Sequence, residues 1–162
     1  MSMRAEELAG RVEQGAAVLI AAVADLTEAQ WRTVCPDEQR SVGVLVHHVG
    51  VAYQDEAEII TALATEEGIP ELTWGEVDQG NSEEAISLET VDKTAAIARV
   101  RENVATAAET VRRLSDAELD RVAPNGLNWG APLTVQFFVE HHPIAHPYMH
   151  LESIRATLGL TG

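Results

Sequence analysis

Three histidines, His48 and the pair His146 and His150, have the type and spacing to do chemistry in this chain. Residues four apart on a helix are separated by about 40° around the axis and roughly 6 Å along it, so both imidazoles of His146-Pro-Tyr-Met-His150 can reach one small cation. A third imidazole from a neighbouring helix would complete the set. Three neutral nitrogen ligands without a thiolate describe an open, reactive metal position, because water or substrate must fill the rest of the coordination shell.

The elements that must position these residues are helical. Apolar residues recur at helical spacing almost throughout, with no convincing strand-like alternation, and the chain reads as all-α. A first helix is expected from about Met3 to Asp25. Thr27-Glu28-Ala29-Gln30 has the capping-box pattern of a short turn ending near Trp31, and Cys35-Pro36-Asp37 interrupts the helical run. Ser41 is the expected N-cap of a second long helix running to about Glu66 and stopped by Gly68 and Pro70. The stretch from Gly68 to Ser82 reads as a packed loop. A third helix is expected from about Thr90 to Leu114, with Ser115 capping a short turn through Asp120 and Pro124-Asn125-Gly126 marking another turn. The last helix is expected from about Ala131 to Leu158, with Pro132 in its first turn and Gly159 as its stop. Four long amphipathic helices imply a four-helix bundle, read as a single domain over residues 1–162.

In the register of the second helix, Leu45, His48, Ala52, Ile59 and Leu63 trace one apolar stripe, whereas His47 lies on a more polar flank. A lone histidine on such a stripe is ordinarily a neutral core residue; the His-x-x-x-His pair on another helix is what raises His48 to a candidate ligand. In the fourth helix His141, His142, Pro143, His146, Pro147 and His150 crowd into ten residues. Interior prolines each remove a backbone hydrogen bond at a cost of about 3 kcal/mol, so the helix should be kinked or locally widened there. His142 could be a fourth ligand or a group behind the ligands, and His141 and His47 read as surface residues. Glu56 interrupts the apolar stripe eight residues from His48, about 12 Å along the axis, and is expected to pair with an arginine of a neighbouring helix rather than share a ligand shell with His48. Trp74, Trp129, Tyr53 and Tyr148 could line a pocket but are read as core residues.

Spacing and composition exclude several functions. Carboxylate-bridged di-iron bundles need Glu-x-x-His on two helices, but Leu45, Val139, Pro143 and Pro147 precede the relevant histidines by three. His-Glu-x-x-His, Cys-x-x-Cys, a phosphate-binding Gly-x-x-x-x-Gly-Lys and a Gly-x-Ser-x-Gly elbow are all missing from the sequence. The 162 residues carry 26 acidic against 11 basic side chains, a net charge of −15 that repels nucleic acid and anionic membrane surfaces. Cys35 is the single cysteine, so no intrachain disulfide can form, and with no signal-like N-terminus the expectation is a cytoplasmic protein. The longest uninterrupted apolar run, Ala16 to Ala24, falls well short of the roughly 20 residues that span a bilayer.

The stretch Ser41-Val-Gly-Val-Leu-Val-His-His48-Val resembles the second-helix motif of the DinB-like (YfiT-type) metalloprotein superfamily, in which a core-facing histidine follows the capping residue by seven positions. His146-Pro-Tyr-Met-His150-Leu-Glu-Ser-Ile154-Arg-Ala-Thr-Leu-Gly159 is similar to that family's final helix. Leu114-Ser-Asp-Ala-Glu-Leu119 and Leu133-Thr-Val135 agree as well, so the resemblance covers most of the chain; Pro147 inside the histidine motif departs from the family pattern. The resemblance implies a four-helix bundle that binds one divalent ion, zinc or nickel, through His48, His146 and His150, and a homodimer. It also implies an activity on a small-molecule substrate: a thiol-dependent S-transferase using mycothiol or another low-molecular-weight thiol, with the ion lowering the pKa of the thiol and the histidines acting as ligands rather than bases. A metal-dependent hydrolase and a non-catalytic metal-binding helical module are the alternatives, with neither nucleic acid nor membrane as a partner.

Overall fold

The computed structural model of the chain describes residues 2–65, 68–69, 71–87 and 90–160. In chain order these form α1 (Met3–Val23), the single turn α2 (Glu28–Trp31), a hairpin of β1 (Val34–Cys35) and β2 (Arg40–Ser41), and α3 (Val42–Ala64). There follow α4 (Trp74–Ser87), α5 (Lys93–Arg112), the single turn α6 (Asp116–Leu119), and a hairpin of β3 (Val122–Asn125) and β4 (Ala131–Thr134). The chain ends in α7 (Val135–Val139), a π-helical turn (Glu140–Ile144) and α8 (His146–Leu158). The architecture is a four-helix bundle in which α1, α3, α5 and the composite α7–α8 are the long members. α5 packs against both α1 and α3, and the composite helix packs across α1 and α3.

Local chemistry sets the helix starts. Ser2, Ser41, Asp92 and Thr134 sit at N-caps with extended backbone, and their side chains accept from Ala5, Val44, Ala95 and Phe137 backbone N–H groups. Thr27 with Gln30, and Ser115 with Glu118, close complete capping boxes on α2 and α6. The shared core takes Leu8, Val12 and Leu19 from α1, Leu45, Val49 and Ile60 from α3, Val100, Ala107 and Val111 from α5, and Phe138, Leu151 and Ile154 from the composite helix. Among the described residues, no helix is long and apolar enough to cross a membrane.

Several expectations are corrected. The first and third helices are shorter than their periodicity suggested, ending at Val23 and beginning at Lys93. The second begins after Ser41 as expected and ends at Ala64; Glu66 and Pro70 lie outside the described residues. Gly68–Ser82 is only partly a loop, because α4 starts at Trp74: Thr73 and Glu76 form a reciprocal cap whose Thr-x-x-Glu pattern outweighs Gly75 and Gly80. The described residues also hold two small antiparallel hairpins. One has strands of two residues, and the other pairs Pro124 with Pro132, both too short and too poor in β-branched residues to show alternation. Pro132 therefore belongs to β4, and the last helix begins at Val135 rather than Ala131.

The hairpin carrying β1 and β2 is fixed by Trp31, buried beneath α3 with its indole N–H donating to the Val91 carbonyl at 2.6 Å. Gly43 in the first turn of α3 makes room for that ring: a Cβ there would stand 2.6 Å from Trp31 Nε1 and 2.8 Å from Cε2. Alanine gains about 1 kcal/mol in helix propensity over glycine, while overpacking costs about 1–3 kcal/mol, and the rigid, hydrogen-bonded indole cannot give way cheaply. Gly43→Ala is therefore expected to lower the urea midpoint while leaving far-UV circular dichroism native. An unchanged or raised midpoint would contradict this packing.

Candidate metal centre

Two segments build the site. The first runs from the β1–β2 hairpin straight into α3. Pro36 opens the turn, the Cys35 carbonyl accepts from the N–H groups of Glu38 and Gln39 at 3.2 and 2.9 Å, and Gln39 takes a left-handed backbone (φ 55°). The turn directs Glu38 toward the last helix, and Arg40 Nη2 donates to Glu38 Oε2 at 2.8 Å. Ser41 then caps α3, placing His48 two turns in and Glu56 two turns further.

The second segment is the composite fourth helix. Pro143 cannot donate to the preceding turn, and the backbone widens into the π-helical turn at Glu140–Ile144, in line with the widening expected from the prolines. Pro147 falls in the first turn of α8, where its missing N–H has no intrahelical partner to lose. The departure from the His-x-x-x-His family pattern is thus compatible with undisturbed helical spacing from His146 to His150.

The structure brings the three expected histidines together. His48 Nε2 lies 3.2 Å from His146 Nε2, and His146 Nε2 lies 2.8 Å from His150 Nε2. One ligand atom from each lies within 4.8 Å of the other two. Nitrogens around a tetrahedral ion at metal–nitrogen distances of about 2.0–2.1 Å would stand about 3.3–3.4 Å apart, so the cluster needs only small adjustment to hold one.

The outer nitrogens are tied to carboxylates. Glu38 Oε1 is 2.7 Å from His150 Nδ1, and Glu56 Oε1 is 3.1 Å from His146 Nδ1. The expected arginine pairing of Glu56 is overturned: its partner is His146, although Glu56 does lie too far along α3 to share a shell with His48. Burial opposes ionisation of Glu38, but the hydrogen bond and charge of His150 together with Arg40 prevail and hold its carboxyl down to about 2. Burial pushes His150 down to about 4, with His146 adding to the effect and Glu38 opposing it. At neutral pH an ionised Glu38 can only accept, so the His150 proton sits on Nδ1 and its Nε2 presents a lone pair to His146. Burial raises the Glu56 carboxyl, against the hydrogen bond and charge of His146. The inner face therefore presents the His150 lone pair to the neighbouring ring nitrogens, where a shared proton or a metal ion can bridge them.

His142 stands outside this group. Its ring is stacked between Phe138 (centroids 4.3 Å apart) and Trp74 (6.1 Å), with Nε2 shielded and without a protein partner. Burial, with smaller contributions from His141 and His146, pushes it down to about 4. His141 is exposed and stacks on Phe137 at 5.2 Å, as a surface residue should, whereas His47 is half-buried rather than exposed. Of the four aromatics placed in the core, only Tyr53 is buried; Trp74 and Tyr148 are partly exposed and Trp129 is 92% exposed. Glu38 escaped the sequence reading because nothing in Pro36-Asp37-Glu38 signals which helix the hairpin faces. Glu56 did give a signal, a carboxylate within an apolar stripe.

Fold and cluster define a class, a helical bundle whose interior gathers three histidines that could hold a divalent ion. The model describing the DinB superfamily matches residues 11–154, and the chain belongs to that superfamily. Among solved structures it is similar to YfiT from Bacillus subtilis, described as a probable metal-dependent hydrolase with an unusual four-helix bundle topology. The TM-score is 0.66 at 20% identity, over 99% of this chain and 91% of that one, a likeness of fold. Comparison with the curated proteins finds no match.

Removing the carboxylate behind a metal-ligating histidine ordinarily costs about 10–100-fold in metal affinity. Glu38→Ala is expected to weaken cobalt binding by that factor in competition with a chromophoric chelator; equal affinity would show that Glu38 does not support the site. Metal-free protein should also be acid-sensitive. His142 and His150 take up protons near pH 6.5 when unfolded but only near 4 when folded, so the unfolded state gains protons first and stability falls as pH drops through that window. The two imidazoles should lower stability between pH 7 and pH 5, with the raised Glu56 carboxyl working in the opposite sense, a balance readable by urea denaturation at each pH. A flat profile would mean that these imidazoles are not held neutral.

Proposed function

We propose that this chain is a metal-dependent enzyme that binds one zinc or nickel ion through His48, His146 and His150. The observation that supports this best is the pairing of three convergent Nε2 atoms with carboxylates behind two of the rings, the pattern by which proteins fix imidazole ligands and raise their basicity. When bound, the ion would supply Lewis acidity, holding a coordinated thiol or water nearer its ionised form at neutral pH. The chain's own residues orient. Glu38, braced by Arg40, fixes the His150 ring, and Glu56 fixes the His146 ring from the opposite helix.

The reaction we favour is S-transfer from a low-molecular-weight thiol, mycothiol or a relative, to a small electrophile, the histidines serving as ligands rather than bases. The thiol and the homodimer rest on the family resemblance, and the cytoplasmic setting on the sequence. A second reading, hydrolysis, is favoured by the description of the similar YfiT structure as a probable metal-dependent hydrolase.

Elemental analysis of protein purified without chelators, followed by single substitution of His48, His146 and His150 with alanine, tests the site. Each variant should lose the ion while far-UV circular dichroism stays native; full retention in all three would refute the assignment. Turnover of 1-chloro-2,4-dinitrobenzene with a thiol supports transfer, and thiol-independent cleavage of an activated ester supports hydrolysis instead. A wild type that holds metal and does neither would point to the non-catalytic module.

A further inference from the structure

His142 lies four residues before His146, within the π-helical turn that precedes α8. It is outside the ligand cluster, and its surroundings are unusual for a structural histidine. The ring is clamped between Phe138 and Trp74, with interplanar angles of 20° and 25°. Trp74 is itself fixed: its indole N–H donates to the Leu127 carbonyl at 2.7 Å, and the Thr73–Glu76 cap anchors the start of α4 beside it. Two aromatic faces thus hold the orientation of the imidazole, while its Nε2 is shielded and has no hydrogen-bond partner among the described residues. Shielded polar atoms are nearly always satisfied, and one held rigidly in place without a partner is suited to a group that arrives with a ligand.

We infer that His142 Nε2 is the hydrogen-bond partner of the small molecule that joins the metal centre, reading a polar group on the arm that extends from the atom meeting the ion. This rests on the metal-dependent, thiol-using function proposed above and adds a specificity determinant to it: the preferred thiol carries an amide or hydroxyl on its arm. Trp74, 45% exposed, forms the outer wall of that subsite.

The test uses cobalt-loaded full-length protein and two probe thiols, N-acetylcysteamine, whose amide lies at the right reach, and butanethiol, which has none. Binding is read from the sulfur-to-cobalt charge-transfer band. The wild type should prefer N-acetylcysteamine by about tenfold, the worth of one hydrogen bond in a shielded site. His142→Phe, which keeps a ring in the stack, should bind cobalt stoichiometrically and butanethiol as before while losing the preference. His142→Gln should restore part of it. Equal preference in His142→Phe and wild type, or none in the wild type, overturns the role of His142 alone. A wild type that takes up no cobalt defeats the metal-centre reading and this inference with it. One that takes up cobalt without a thiol band defeats the thiol reading and this inference together.

Discussion

The Nε2 atom of His146 faces those of His150 and His48 at 2.8 and 3.2 Å, so a shared proton or a metal ion must lie between neighbouring ring nitrogens. Much of the surrounding structure follows from that constraint. Glu38 accepts the outer proton of His150 and thereby leaves its inner nitrogen free to accept a proton or a cation, and Glu56 Oε1 stands 3.1 Å from the outer nitrogen of His146. The two carboxylates differ in surroundings. Glu38 is braced by Arg40 and held ionised, whereas Glu56 is buried within the bundle, with its second oxygen unpaired. The net acidity of the chain has a local counterpart here, where carboxylates placed behind the rings favour positive charge in front of them.

The fourth helix reconciles a dense histidine motif with prolines that would ordinarily break it. Pro143 is accommodated by widening one turn, and Pro147 sits where α8 restarts and no donor is needed. The widened turn also sets His142 apart from the histidine cluster, with His146 and His150 in the regular helix and the stacked His142 within the irregular turn. Local π-helical geometry is a known mark of functional positions, and here it is tied to a specific proline.

The three clustered histidines were legible in the sequence because helical periodicity links them: His48 lies on the apolar stripe of α3, and four-residue spacing sets His150 against His146. The long helices and their caps at Ser41, Thr27 and Ser115 were legible for the same local reason, that capping is chemistry between residues three apart. The carboxylates behind the ligands were not. Glu38 and His150 are 112 positions apart and meet only through the packing of a hairpin with two-residue strands, and a stripe position alone cannot tell Glu56 whether its partner will be arginine or histidine. The start of α4 could have been read from Thr73 and Glu76. The exposure of Trp129 could not, since it depends on a tight turn in which that residue takes a left-handed backbone.

His48 and His146 stand 98 positions apart. A ribosome making this chain therefore releases the hairpin, Glu38, His48 and Glu56 long before the other two imidazoles exist. During that interval an encountering ion meets one of the three clustered histidines, too weak a grip to retain it. Any choice among competing cations would therefore wait until the proline-bearing helix docks, and would fall to a nearly finished bundle rather than to the nascent polypeptide.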